Sequence, residues 1–509
     1  MAFANFFDRA ATAASQVLQG FDLSDFRARL DARAVGLAFD GSALRSPEGA
    51  AILDLSVRLL ARLYPALSFL PLDAEAEAGV PALRLLAQAI NPDLLPLADT
   101  TALAACIVVG PRRPGIECPV FFTGSDGWTA RLSREAPRDL GSSRNPFGAG
   151  AAACLAVANV FRTLFGENLP GGACDREVEL SLLGFGETVE SVDPGRADLG
   201  DAYLVGVGAI GHGAVWALSR IEGVRGRLHL VDHERIDLSN LQRYILADQA
   251  SVGASKVELA AGLLGGGELD VVAHAERWGE FVLGRGDWRF DRVAVALDTA
   301  GDRIGLQGSL PRWIANAWTR DIALGVSRHE FLSEGPCLAC LYMPDGAVKP
   351  EDVRVAEEIG LPEAVMEVRH LLATNAPVDA AFVARIVVRL ALPPGSLDAF
   401  VGSPLRSFYQ QAICGGVVFR LTEGGSRVVA TVPMAFQSAL AGIMLAAELV
   451  KHALGVPASP VVGTRLNLLR PLTGHYADPR ARDRSGRCLC ADPDFLGAYR
   501  RKYEVAEAT

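Results

Sequence analysis

Two hydrophobic rhythms alternate along the chain. Apolar positions recurring every third or fourth residue predict helices over 6–21, 50–64 and 81–90. Short apolar runs at 104–110 and 119–123, with a weaker one at 128–132, predict strands. The stretch 148–165 is apolar on every side and predicts a buried helix, its start capped by the Ser142-Ser-Arg-Asn-Pro-Phe-Gly148 tract. Asp193-Pro-Gly then marks a break. Beyond it, strand patterns at 203–207, 227–231, 270–273, 292–297 and 314–318 alternate with helical ones, which predicts a parallel, doubly wound α/β sheet. From 350 to 406 the pattern is mostly helical, and a last strand is expected at 462–468. The expected division is a first unit over 1–195 and a second over 196–509, with a helical insertion across 349–413. No short-period repeat is present; a rough likeness of the two α/β units is the one hint of duplication.

Composition narrows the partners. The chain has 509 residues with 49 basic against 59 acidic side chains, a net charge of −10. An acidic surface repels phosphate backbones, so nucleic acid is not an expected partner. The start carries Asp8 and no long apolar core, and the apolar stretch 428–450 is interrupted by Pro433, Gln437, Ser438 and Glu448. Neither a secretory signal nor a membrane partner is expected. Nine cysteines over this length point to a reducing cytoplasm rather than a disulfide framework. Only Lys256, Lys349, Lys451 and Lys502 are lysines, an arginine bias suggestive of a bacterial, GC-rich source, so the place of each lysine is informative.

The strand at 203–207 runs into Gly206-x-Gly208-x-x-Gly211 and then a helix. The first two glycines allow a tight turn and close approach to a phosphate, the third lets helix and strand pack, and the helix N-terminus attracts the anion. Asp232 ends the next strand, where a carboxylate accepts hydrogen bonds from ribose hydroxyls. These features fit a dinucleotide or ATP. Arg243 and Lys256 would neutralise a triphosphate and Asp298 would hold Mg²⁺, which favours ATP, since a dehydrogenase needs neither. Cys337-x-x-Cys340 and Cys488-x-Cys490 suit a tetrahedral zinc ion, with buried packing cysteines or a redox pair as the alternatives. Cys106 and Cys154 lie in apolar runs and Cys118 and Cys174 in loops. His229 and His233 straddle a strand end and are read as structural.

The Gly loop, Asp232, Ser239-Asn-Leu-Gln-Arg243, Gly253-x-x-Lys256, and Asp298 followed by Arg303 together resemble the adenylation domain of ubiquitin-activating enzymes and of bacterial sulfur-carrier adenylyltransferases. The resemblance extends through the cysteines and covers most of 200–495. It implies a doubly wound Rossmann-like adenylation domain preceded by a degenerate adenylation-like half, forming a pseudo-dimer within one chain, with homodimers left open. It implies that Asp232 binds ribose, that Asn240, Arg243 and Lys256 bind phosphates, and that Asp298 binds the metal. Cys414, in Gln410-Gln-Ala-Ile-Cys-Gly-Gly416, would be the acceptor of the acyl group, and Arg9 echoes an arginine that reaches ATP from the partner half. Two departures stand out: Tyr244, where the family often has Gln, and C-x-C in place of a second C-x-x-C. The implied activity is ATP-dependent activation of the C-terminal glycine of a ubiquitin-like protein, passing to a thioester and a conjugating enzyme. By analogy, the chain most resembles the activating enzyme of bacterial ubiquitination-like systems linked to antiphage defence. Sulfur-carrier and peptide-tailoring adenylyltransferases, a nicotinamide oxidoreductase and a decayed scaffold are the competing readings.

Overall fold

The computed structural model describes residues 3–96, 103–343, 350–413, 432–457 and 462–503. It opens with α1 (Phe7–Ser15) and α2 (Leu23–Ala32). The apolar pattern over 6–21 is therefore not one helix: α1 stops at Ser15, Gly20 turns at φ 64°, and Asp22 caps α2 by accepting from the Asp25 amide. The first sheet unit follows as β1 (Ala34–Phe39), α3 (Gly41–Arg45), α4 (Pro47–Leu60), β2 (Ala66–Pro71), α5 (Ala74–Ile90), β3 (Leu95–Pro96), β4 (Leu103–Val109), β5 (Val120–Asp126), β6 (Thr129–Ser133), α6 (Pro146–Phe165) and β7 (Glu177–Ser181). Its strand order is β3-β2-β1-β4-β5-β6-β7; the first five are parallel and β6 and β7 antiparallel.

The second unit runs β8 (Asp198–Val205), α7 (Ala209–Leu218), β9 (Arg225–Val231), α8 (Lys256–Leu264), β10 (Leu269–His274), α9 (Trp278–Gly284), β11 (Arg292–Val295), α10 (Ala300–Gly308), β12 (Trp313–Arg320) and β13 (Ala323–Glu330). The insertion follows, with α11 (Glu351–Glu358), α12 (Val365–Thr374), α13 (Ala380–Arg389) and α14 (Leu405–Phe408) around their own small core of Val355, Val368, Phe382, Ile386 and Phe408. Then come α15 (Ala435–Ala453), β14 (Gly463–Leu466), β15 (Ala477–Asp478) and α16 (Pro493–Tyr503). The sheet order is β10-β9-β8-β11-β12-β13-β14-β15, with the first five strands parallel and the rest antiparallel.

The two sheets follow one plan. In each, the first strand lies third in the order, two crossovers extend the sheet one way and two the other. An antiparallel pair then flanks a long apolar helix, α6 in one unit and α15 in the other. The halves anticipated from sequence therefore share a topology. β1, β2, β7 and β13 escaped the pattern reading. β1 reads AVGLAF, buried throughout, so no polar position marks its faces; β13 buries Arg328 and His329, which read as surface residues. The consequence matters for the site. The run at 104–110 is not the first strand of its unit, and the turn comparable to the Gly loop follows β1, at Asp40.

The units meet through helices. α15 packs along α7 and α6, and α6 packs on α4. A Cβ on Gly442 would lie 2.0 Å from the carbonyl oxygen of Ile210, and one on Gly213 would lie 2.5 Å from that of Ala439, so α7 and α15 touch backbone to backbone. One apolar core continues through both units and includes Phe26, Phe161, Trp216 and Phe436. α6 is long and apolar enough to cross a membrane by composition alone, but here it is a buried core helix.

Candidate functional site

β8 ends at Val205 and the chain turns at Gly206, φ 90°, where a Cβ would sit 2.5 Å from the Ala296 carbonyl oxygen. α7 begins at Ala209 with Gly208 as its N-cap and no side chain capping it. The first-turn amides and the positive end of the helix thus meet the C-terminal edge of the sheet, a built anion site. Asp232, just past β9, accepts from the amides of Val207 (2.8 Å) and Glu234 (2.9 Å), which fixes its carboxylate beside the loop.

The cations converge on the same edge. Lys256 opens α8, is buried, pairs with Glu234, and holds its ammonium 5.0 Å from the Tyr244 ring centre. Burial pushes the Lys256 pKa down, but Tyr244, Asp232 and Glu234 outweigh it and raise it overall, so this lysine stays protonated. The Arg243 guanidinium lies 5.7 Å from the same ring. Asn240 sits in the 238–242 turn, where its side-chain oxygen accepts from the Asp237 amide. Asp298 is exposed, past the end of β11. Burial raises the Tyr244 phenol, Lys256 and Arg243 lower it, and the Asp298 carboxylate raises it, so all three charges act on this one hydroxyl. Arg303 does not reach this edge. It turns inward, donating to the Asp298 carbonyl (3.1 Å) and to Asn316 Oδ1 (3.0 Å), and so braces the turn that carries Asp298. Gly206, Gly208 and Gly211 thus form the turn, Asp232 is bonded to it, Lys256, Arg243 and Asp298 act on Tyr244 beside Gly208, and Asn240 lies on the adjoining 238–242 turn. The buried Arg9 lies on α1, which packs on the 238–242 turn. Nearby, Asn5 and Gln249 exchange side-chain hydrogen bonds (3.0 and 3.1 Å).

The same edge of the first sheet is closed by its own charges. Strand register equates Phe39, Pro71 and Val109 with Val205, Val231 and Val295. Asp40 therefore stands at the position of Gly206, and Arg112 at that of Asp298. The Asp40 carboxylate accepts from the amides of Ser42 (2.9 Å) and Arg112 (3.1 Å), occupying a helix N-terminus as a bound anion would. Asp73 accepts from the Gly41 amide (3.0 Å), as Asp232 does from Val207, and pairs with Arg112 at 3.4 Å.

Cys337, Cys340, Cys488 and Cys490 meet although 147 residues separate the pairs in sequence; their sulfurs all lie within 4.8 Å of one another. Neighbouring sulfur separations of 3.4 to 3.8 Å match the edge of roughly 3.8 Å that Zn–S bonds of about 2.3 Å impose on a tetrahedron. The C-x-C spacing is accommodated because Leu489–Ala491 is a tight turn. The cluster pins the Pro493–Tyr503 helix, whose Tyr503 hydroxyl and Lys502 ammonium bind carbonyls of Phe290, Ser309 and Leu310.

Cys414 lies outside the described residues. Burial raises the thiols of Cys106 and Cys154, and also that of the half-buried Cys118, so none is an activated nucleophile. Cys174 is half-buried beside Thr163 and Asn159. His229 and His233 do not pair. His229 is buried and bonds His274 on the neighbouring strand at 2.9 Å, a partner that only the β9–β10 register reveals. The cap before α6 is as expected, with Asn145 accepting from the Phe147 amide.

Residues 197–299 match the ThiF family and residues 38–166 match Prokaryotic E2 family C. Over 507 residues the chain is 56% identical to "Uncharacterized protein y4jF" of Sinorhizobium fredii (strain NBRC 101917 / NGR234), covering 99% of this chain and 98% of that protein. Among solved structures, "Crystal structure of E. coli MccB + MccA-N7isoASN" is similar over 59% of this chain and 68% of that one, at 14% identity and a TM-score of 0.35. "The structure of Microcin C7 biosynthetic enzyme MccB in complex with N-formylated MccA" is similar over 59% and 69%, at 13% identity and the same TM-score of 0.35.

Proposed function

The chain belongs to the E1-like adenylyltransferase family, its ThiF-family domain spanning 197–299, and from that premise we propose that it activates the C-terminal glycine carboxylate of a ubiquitin-like protein. The observation that carries adenylation is a buried lysine, kept charged, beside an uncapped helix N-terminus, with an exposed carboxylate across the same sheet edge. The first-turn amides of α7, Lys256 and Arg243 hold the phosphates of ATP, Asn240 adds a contact, and Asp232 accepts from the ribose. Asp298 would hold Mg²⁺, which when bound neutralises charge on the phosphates. A carboxylate oxygen of the substrate attacks the α-phosphorus, the bond to the β-phosphate bridge breaks, and pyrophosphate leaves with that electron pair. The chain's contribution is alignment and fixed positive charge. Cys414, as thiolate, then attacks the acyl carbon and AMP departs, leaving a thioester for a conjugating enzyme.

In this reading residues 1–195 are an inactive partner half. Asp40 supplies an anion where a phosphate would bind, and Arg112 puts a cation where a metal would need an acid. The match of 38–166 to an E2 family supports a conjugation pathway. The four cysteines hold a structural zinc, and the setting is the bacterial cytoplasm. The test is ATP–pyrophosphate exchange by the full chain with small ubiquitin-like proteins ending in glycine, followed by non-reducing electrophoresis. Exchange with an adduct cleaved by thiol reductant supports the whole reading. Exchange without such an adduct assigns a sulfur-carrier or peptide-tailoring adenylyltransferase. Absence of exchange with any carboxyl-terminal substrate removes the adenylation step.

A further inference from the structure

Arg62, on the connection after α4 in the first unit, is 1% exposed and forms no ion pair among the described residues. Both of its terminal nitrogens donate to backbone. Nη2 donates to the carbonyls of Tyr244 and Ala247, both at 2.6 Å, and Nη1 to that of Arg58 at 2.8 Å. Arg58, one helical turn back, donates to the Ile245 carbonyl at 3.1 Å. Within the second unit the buried His212 accepts from the Leu246 amide at 3.3 Å through Nδ1, the neutral form favoured by burial and by Lys256, Arg62 and Arg58 around it. All four residues from Tyr244 to Ala247 are therefore gripped by their backbone, three of them by the first unit. Buried charged donors to carbonyls are among the stronger hydrogen bonds, so this segment is held rigidly.

The Tyr244 side chain carries that grip forward. Its ring packs tilted against His212, centroids 4.7 Å apart, and lies under the Lys256 ammonium at 5.0 Å. Its hydroxyl comes within 3.5 Å of where a Cβ on Gly208 would be. The ring thus fills the space between the clamped backbone and the anion-binding turn. Glutamine there would present no rigid face to a lysine.

We propose that Arg62 and Tyr244 form a positioning relay through which the first unit sets the phosphate-binding groups of the second. It rests on the nucleotide reading above and adds a reason for the first unit to be retained without a site of its own. Neither residue is a catalytic group; both act through Lys256 and the Gly208 turn.

The relay predicts a split between phosphate and nucleoside recognition. Equilibrium dialysis of the full chain with ATP and Mg²⁺, and separately with adenosine, reads that split. Arg62→Met and Tyr244→Ala are each expected to weaken ATP about tenfold, equal to about 1.4 kcal/mol, and adenosine less than about twofold. Arg62→Lys should recover part of the loss, because one ammonium reaches fewer of the carbonyls. The double variant should be no worse than about twofold beyond the stronger single, since both act on one chain of contacts. Equal losses for ATP and adenosine, or ATP binding unchanged, overturn the relay. If Arg62→Met does not fold, Tyr244→Phe decides: a loss of about threefold or more for ATP alone supports it, and wild-type affinity overturns it. A wild-type chain that binds neither ATP nor adenosine overturns the nucleotide reading itself, and the relay with it.

Discussion

Glu448 lies on α15 at 3% exposure and faces two cations: Arg328 Nη2 donates to Oε1 at 2.6 Å, and so does the Lys451 ammonium at 2.6 Å. Burial raises this carboxyl, but Lys451 and Arg328 overcome it and hold the pKa at about 2, against an ordinary 4.5. That depression is worth roughly 3 kcal/mol at neutral pH, at about 1.36 kcal/mol per unit. Glu448→Gln leaves two buried cations facing each other, a defect that typically costs about 3–5 kcal/mol. Lys451 softens it. Its own pKa is already lowered, burial prevailing over Glu448, and loss of the carboxylate removes the contact that opposes this. The expected loss is therefore about 3 kcal/mol, the lower end of that range. The sign with pH follows from a depressed carboxyl: its stabilisation is complete above the unfolded pKa near 4.5 and lost as pH falls through about 2. At pH 3 the gap between wild type and variant should have narrowed to about 1 kcal/mol. Urea denaturation midpoints of both proteins at pH 7 and pH 3 measure it. A loss below about 1 kcal/mol at pH 7, or the same loss at both pH values, refutes the argument.

Three further outcomes test the site. Asp298→Ala should abolish ATP–pyrophosphate exchange with the thermal midpoint unchanged, because its side chain is exposed; normal exchange in the variant removes Asp298 from the site. Elemental analysis should find one zinc per chain in the wild type and none in Cys337→Ser, whose C-terminal helix should become protease-sensitive; a stable wild-type fold without zinc refutes the assignment. Cys414→Ala should keep exchange yet lose the reductant-cleaved adduct, and persistence of that adduct moves the acceptor to another cysteine.

The second unit was legible because its signals are local. A strand, a Gly-rich turn and an acid at the next strand end lie within one βαβ stretch, and parallel sheets put such strand ends on one edge. The cysteine cluster was legible from chemistry rather than proximity, since paired thiols have few other uses in a reducing cell. The first unit was not. Its β1 is uniformly buried, so no alternation marks it, and without that strand the turn at Asp40 is not recognisable as the counterpart of the Gly loop. Arg58 and Arg62 read as the polar face of a helix; nothing along the chain says that carbonyls some 180 residues later lie beneath them. Long-range contacts between units leave no periodic trace.

The two halves also bear on how such a chain can change over generations. At the first unit's sheet edge a side chain, Asp40, satisfies the helix amides that a nucleotide would satisfy, so folding there is complete without a ligand. The second unit's edge leaves the amides at α7 uncapped and is stabilised whenever a nucleotide is present. Under the proposed reading, copying errors at the first edge are judged by packing, while those at the second are judged by chemistry. One half is free to drift toward new binding faces, and the other stays tied to the reaction.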